Sequence, residues 1–197
     1  MLDKNPEQIT DNDLTQIQIK FEQNNPNIVL YSKPFHKVEF LDRLINSTED
    51  PTIFIDMDLL YTGYVESGMI QKKKNVVIFC PNKTNWKEKI SEIISSISKE
   101  RFLVIIDSFN GLYNLFDELE SAIFINSCLM LLSSVGNQTK SSVVITGMAR
   151  RKENNGWVLS PGGKHIIKSE KTGVYFLKKV RNDLIIDTLN KTDGDSE

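Results

Sequence analysis

Cysteine is scarce in this 197-residue chain; Cys80 and Cys128 are the only two, and neither stands at metal-ligand spacing from a partner. That excludes a disulfide scaffold and a zinc finger, and it suits a reducing cytoplasm with buried free thiols. Histidine is equally sparse, and His36 and His165 are too far apart in sequence to suggest a metal centre. Long apolar runs are missing. Stretches such as Phe102-Leu-Val-Ile-Ile106 fall far short of the roughly 20 residues a membrane span needs. The opening Met1-Leu-Asp-Lys-Asn-Pro-Glu is acidic and polar, so it does not read as a secretory signal. Glycine comes late: the first of the ten is Gly63, which leaves none for a glycine-rich phosphate loop before it.

What is present is ordinary globular material, 40% apolar and 25% charged, enough for one sizeable core in one domain. The net charge of -2 hides an uneven distribution. Residues 1–26 carry five acids against two lysines, and residues 183–197 carry five acids against Lys191. Between them, residues 148–181 hold nine bases against Glu153 and Glu170. Such a block marks either an anionic partner or a solvated face, and charge alone favours the solvated face.

Short β-rich runs alternate with helical periods. Strands are expected at Asn27–Tyr31, Thr52–Ile55, Val76–Phe79, Phe102–Ile106 and Ser142–Ile145, each apolar enough to be buried on both faces. Helices are expected near 35–46, 58–70, 84–99 and 112–134. The third has Thr84 as its N-cap; the fourth carries Leu112, Leu115, Phe116, Leu119 and Ile123 on one face. This alternation predicts parallel βαβ units. Beyond residue 146 a polar stretch, 147–163, reads as a loop, and Gly173–Leu177 with Leu184–Leu189 reads as a terminal hairpin. The organisation expected is an N-terminal arm over 1–26, a core domain over 27–189 and a disordered tail over 190–197. In the arm, Ile17, Ile19 and Phe21 alternate with polar residues, as in a half-buried strand or a docking arm.

Ser142-Val-Val-Ile-Thr-Gly-Met-Ala-Arg-Arg-Lys152, then Trp157, Pro161-Gly-Gly-Lys-His165 and Gly173-Val-Tyr-Phe-Leu-Lys-Lys179 follow an order seen in one superfamily. Together they resemble the C-terminal half of a RecA-like ATPase core, of the kind in archaeal RadA-type recombinases and KaiC-like proteins. Upstream, Phe102-Leu-Val-Ile-Ile-Asp107-Ser108 resembles its Walker B strand, and Ile53-Phe-Ile-Asp56-Met-Asp58 the strand before it. The resemblance spans about residues 27–189. It implies an α/β fold with a RecA-like, mainly parallel sheet flanked by helices and a C-terminal β-hairpin.

The departure lies after the first strand. A phosphate loop needs glycines, so that backbone N–H groups can close on phosphate oxygens, then lysine and a hydroxyl. Here Tyr31-Ser-Lys-Pro-Phe-His36-Lys37-Val38 keeps only Lys37. The expectation is an inactive ATPase homologue without a cofactor, whose degenerate nucleotide site is Lys37, Asp58 and Asp107. Asp56, Asp58 and Asp107 read either as magnesium ligands or a general base, or, more simply, with Asp58 and Asp107 as caps of the following helices. The 148–164 loop matches in position the loop that contacts single-stranded DNA in RecA-like recombinases. There Arg150, Arg151, Lys152 and Lys164 would meet phosphates and Trp157 a base. The alternative is a solvated loop whose tryptophan covers its own core or a neighbouring subunit. The implied work is a non-catalytic recombinase paralogue in DNA repair, binding single-stranded DNA and assembling as a homo- or hetero-oligomer with RecA-like proteins. The alternatives are a structural subunit of a RecA-like ring, as in the Elongator accessory ring or KaiC-like regulators, binding protein or RNA, and an atypical ATP-binding protein.

Overall fold

Five runs of four or five apolar residues form the centre of one sheet. The computed structural model describes residues 14–116, 120–152, 156–159, 169–181 and 183–189. The central strands are β1 (Asn27–Tyr31), β2 (Thr52–Asp56), β3 (Val76–Phe79), β4 (Leu103–Asp107) and β5 (Ser142–Lys152). After them come β6 (Gly156–Leu159), β7 (Gly173–Val180) and β8 (Asp183–Thr188). The helices are α1 (Leu14–Gln23), α2 (Pro34–Asn46), α3 (Leu60–Glu66), α4 (Trp86–Ile97), α5 (Phe109–Leu115) and α6 (Glu120–Thr139).

The sheet order is β3-β2-β4-β5-β1-β7-β8, with β6 joined to the far end of β5. The pairs from β3 across to β7 are all parallel, and β8 folds back antiparallel on β7 as the terminal hairpin. Every residue of β1, β2 and β4 is buried, which explains why these strands read as unbroken apolar runs. Successive residues serve opposite faces. Val29, Phe54, Ile105 and Val144 pack with Phe21 of α1, Leu41 and Leu44 of α2 and Tyr61 of α3. Ile53, Val104, Ile106 and Val143 pack with Trp86 and Ile93 of α4, Leu112 of α5 and Leu129 of α6. The carboxyl ends of the parallel strands therefore open at one rim, where Tyr31, Asp56 and Asp107 stand at the last strand positions of β1, β2 and β4.

Several local expectations are corrected. Only Cys128 is a buried thiol, since Cys80 is exposed, and β3 is not buried on both faces because it lies at the sheet edge, with Val77 51% exposed. Residues 14–23 form a helix, with Ile17 and Phe21 buried on one side, four residues apart, and Ile19 exposed. A helix satisfies the same alternation at 17, 19 and 21 because its own period also buries i and i+4. The long helix expected over 112–134 is two. Phe116 leaves the helical region at φ -117° and ψ 118°, and its ring packs edge-on against Trp86 and Phe124. That break resets the helical phase, so Ile123 faces outward at 73% exposure. Thr84 does not cap α4, because Asn82 organises that turn: its Oδ1 accepts from the backbone N–H groups of Thr84 and Asn85. Finally, β5 does not stop at Ile145 but continues to Lys152.

Candidate functional site

The connection from β1 to α2 is only Ser32-Lys33, and Pro34 opens the helix without an N–H to offer. One turn into α2, Lys37 points back under the sheet rim, with its side chain 2% exposed. Its Nζ lies 2.8 Å from Asp107 Oδ1 and 3.3 Å from Asp58 Oδ2, and 5.0 Å from the centre of the Tyr31 ring. Thr146, on β5 beside β4, donates its hydroxyl to the same Asp107 Oδ1. Asp107 is wholly buried, and its second oxygen has no hydrogen-bond partner. Burial pushes the Asp107 carboxyl up to about 6, against the pull of Lys37 and Thr146. Burial pulls the Lys37 ammonium down, but Asp107, Tyr31 and Asp58 together outweigh it and hold its pKa above the ordinary value. One ammonium thus faces two carboxylates, and the cluster offers a phosphate no net positive charge.

The loops around this cluster are set by short side chains. Ser108 is the N-cap of α5, its Oγ accepting from the Gly111 N–H at 3.2 Å. Asn110 Oδ1 accepts from the Met148 N–H at 2.7 Å and so ties α5 to β5. Asp56 reaches into the first turn of α3, accepting from Thr62 N at 2.8 Å and Thr62 Oγ1 at 2.7 Å. The cap expected of Asp58 therefore comes from Asp56, and the one expected of Asp107 from Ser108; Asp58 and Asp107 are spent on Lys37. Gly111 is where α5 passes closest to the β2–α3 connection. A Cβ there would lie 2.5 Å from Met57 Cβ and 2.7 Å from Asp58 Oδ1. Leu59, next to Asp58, sits at φ 58°, a left-handed conformation that branched L-residues adopt at a cost.

The second feature leaves the same rim. Strand β5 pairs with β4 as far as Ile145 and with β1 as far as Met148, then runs on alone with β6. In that antiparallel ribbon Arg150 stands opposite Val158, Arg151 opposite Trp157 and Lys152 opposite Gly156. Much of the expected 148–164 loop is thus a strand pair, because β-branched and aromatic Trp157-Val158 find the edge of an extended partner. Arg150 is exposed. Lys164, His165 and the Pro161-Gly-Gly turn lie outside the described residues.

No family model matches the sequence, and no curated protein matches it. Among solved structures, the crystal structure of the RadB recombinase superposes with a TM-score of 0.54. The match covers 86% of this chain and 83% of that one, at 14% sequence identity. The fold is RecA-like.

Within the RecA-like frame, the structure brings Lys37, Asp58 and Asp107 into one cluster and places Arg150, Arg151, Lys152 and Trp157 on one ribbon. Thr146 and Tyr31 were not foreseen as members of the lysine cluster. The signal for Thr146 was available in its register, since Ile106 pairs with Ile145 and each strand's next residue is polar. Of the nine bases in residues 148–181, Lys178 pairs with Asp187 and Lys179 with Glu39, so neither offers a free charge. Among the described residues no group of three or more histidine, cysteine, aspartate or glutamate side chains is placed to hold a metal. No helix among them is long and apolar enough to cross a membrane. A cleft of about 270 Å³ lies at the opposite, amino end of the strands, lined by Gln18, Phe21, Asp50 and Ser142. There Arg101 bridges Glu22 at 2.6 Å and Asp50 at 2.7 Å, tying α1 to the entrance of β2.

Proposed function

We propose that this RecA-like protein works by binding rather than by hydrolysing nucleotide. Its ligand is single-stranded nucleic acid held on the β5–β6 ribbon, and its partners are RecA-like subunits in DNA repair or recombination. The observation that carries the proposal is the closure of the Lys37 site. A nucleotide's phosphates need a cationic, donor-rich cradle; Lys37 is committed to Asp107 and Asp58, and the β1–α2 turn is too short to wrap anything. Under this reading the positive charge comes from the ribbon, where Arg150 is exposed and Arg151, Lys152 and Trp157 belong to the same strand pair. Basic residues interleaved with an aromatic suit single strands, which offer both phosphates and unstacked bases. The name of the RadB structure, a recombinase, supports the same field of action.

The test is a parallel titration with a single-stranded DNA oligomer, a single-stranded RNA oligomer and magnesium ATP. Binding of DNA, weakened at least tenfold by Arg150→Glu with Arg151→Glu and accompanied by no ATP binding, is the expected result. ATP turnover that disappears in Lys37→Ala would overturn the non-catalytic reading. Oligonucleotide affinity indifferent to the two arginines would overturn the ribbon, and preference for RNA would move the ligand from DNA to the ring-subunit alternative.

A further inference from the structure

Strand β5 outlasts both of its neighbours in the sheet. Its pairing with β4 ends at Ile145 and its pairing with β1 at Met148, and the antiparallel pairing with β6 begins at Ala149. Met148 is therefore the last residue the sheet holds and the point from which the ribbon departs. In a parallel strand, alternate residues turn their N–H groups to the same side. Ser142 donates to the Phe102 carbonyl, at the entrance of β4, at 3.0 Å. The N–H groups of Val144, Thr146 and Met148 face that side as well. The register brings Asp107, the last residue of β4, level with Thr146, which leaves no strand residue to answer Met148. Asn110 answers it: the side-chain Oδ1 accepts from the Met148 N–H at 2.7 Å.

Asn110 is a firm post. It stands in the first turn of α5 between Phe109, which is wholly buried, and Gly111. Gly111 packs so closely on the β2–α3 connection that a Cβ there would lie 2.5 Å from Met57 Cβ. Neither neighbour leaves the backbone room to move. An amide oxygen also answers the N–H without placing a negative charge beside a basic strand. We infer that Asn110 is a positioning residue for the β5–β6 ribbon, standing in for the strand that β4 does not supply and so fixing the direction in which the ribbon leaves the sheet. That the ribbon's ligand is single-stranded nucleic acid rests on the proposed function; the hold on Met148 does not. Without that hold, Met148 is fixed along its β1 side alone and the ribbon swings more freely. Ordering the ribbon then falls to the ligand, at a cost in affinity. The charges themselves stay, and with them the salt dependence.

Two substitutions and two measurements test it. Asn110→Ala removes the acceptor, and alanine suits a helix better than asparagine, so α5 is not weakened by the change. Asn110→Asp keeps an oxygen at the same reach. In amide hydrogen exchange of the free protein, Met148 and the amides from Ala149 to Lys152 should exchange about tenfold faster in Asn110→Ala, with β2 and β4 unaffected. Asn110→Asp should stay near the wild-type rate. In the second arm, Asn110→Ala should bind a single-stranded DNA oligomer about fivefold more weakly. Its slope against salt should be unchanged and its Trp157 fully quenched at saturation, which separates this loss from those of the arginine and Trp157 variants. Unchanged exchange in Asn110→Ala, or equally fast exchange in Asn110→Asp, overturns the hold on Met148. Faster exchange with unchanged affinity overturns the positioning role. A wild-type chain that binds no oligonucleotide overturns the proposed function instead, and exchange then decides the hold on Met148 by itself.

Discussion

A lysine whose side chain is 2% exposed must find its counter-charge inside the protein, and Lys37 finds two. Removing the cation alone leaves Asp107 buried without compensation, which is the costly way to break such a pair. Lys37→Met is therefore expected to lower unfolding stability by about 3–5 kcal/mol in urea titration, while Lys37→Met combined with Asp107→Asn recovers a large part of that loss. If Lys37→Met were as stable as wild type, the cluster would not be structural. Asp107 also sets a pH signature. Burial raises its carboxyl from 3.8 to about 6, so the folded state holds this proton more tightly than the unfolded state does. Stability from this group is fully present below about pH 4 and is lost as pH rises through about 6. Wild type should then lose roughly 3 kcal/mol relative to Asp107→Asn between those limits. Paired unfolding curves near pH 4 and pH 7.5 check both sign and size. The trio of Lys37, Asp58 and Asp107 was legible because each follows a buried strand; that the acids serve the lysine rather than a metal or a cap depends on how closely two loops approach, fixed at Gly111.

Secondary elements were legible where one period was strong and unbroken. Strands β1, β2 and β4 fall within a residue of their expected bounds because burial on both faces leaves no other pattern for five such residues, whereas β3 matches its bounds as an edge strand with Val77 51% exposed. The same reasoning failed at α1, where Ile17 and Phe21 satisfy both a strand and a helix, and at Phe116, where an apolar residue ends a helix without proline or glycine to announce it. The helical assignment changes what the N-terminal segment is for. Phe21 is 2% exposed and packs at a tilt against Tyr175 of β7, with ring centroids 5.3 Å apart, while the side chain of Asn27 donates to the Phe21 carbonyl at 2.9 Å. Phe21→Ala is expected to cost about 3–5 kcal/mol, as large-to-small changes in a filled core do. A simple docking arm would tolerate the change with little loss, so thermal unfolding of this one variant separates the two roles.

At the scale of the whole molecule the net charge is -2, so the chain as a unit does not draw a polyanion towards itself. Attraction to a single strand must come from the ribbon, and the number of charges available there limits its salt dependence. Lys178 and Lys179 are already paired, so under the proposed reading the contacts would be Arg150, Arg151 and Lys152 of β5, with Lys164, which lies outside the described residues, as the fourth that the sequence suggests. Each neutralised phosphate on a single strand contributes a slope of about -0.7 in log affinity against log salt. The expected total is therefore about -2 for three contacts and about -3 for four, and Lys164→Ala distinguishes the two. Trp157→Ala should act differently, lowering affinity by about 1–3 kcal/mol with the slope unchanged, because stacking releases no counterions. Trp86, the first residue of α4, is 1% exposed and should add only a constant background to the emission, so quenching on titration reports Trp157. A slope near zero with Trp157 still quenched would mean that the ribbon takes an uncharged partner. Tryptophan and arginine, both enriched at interface hot spots, would then make a protein surface the ligand.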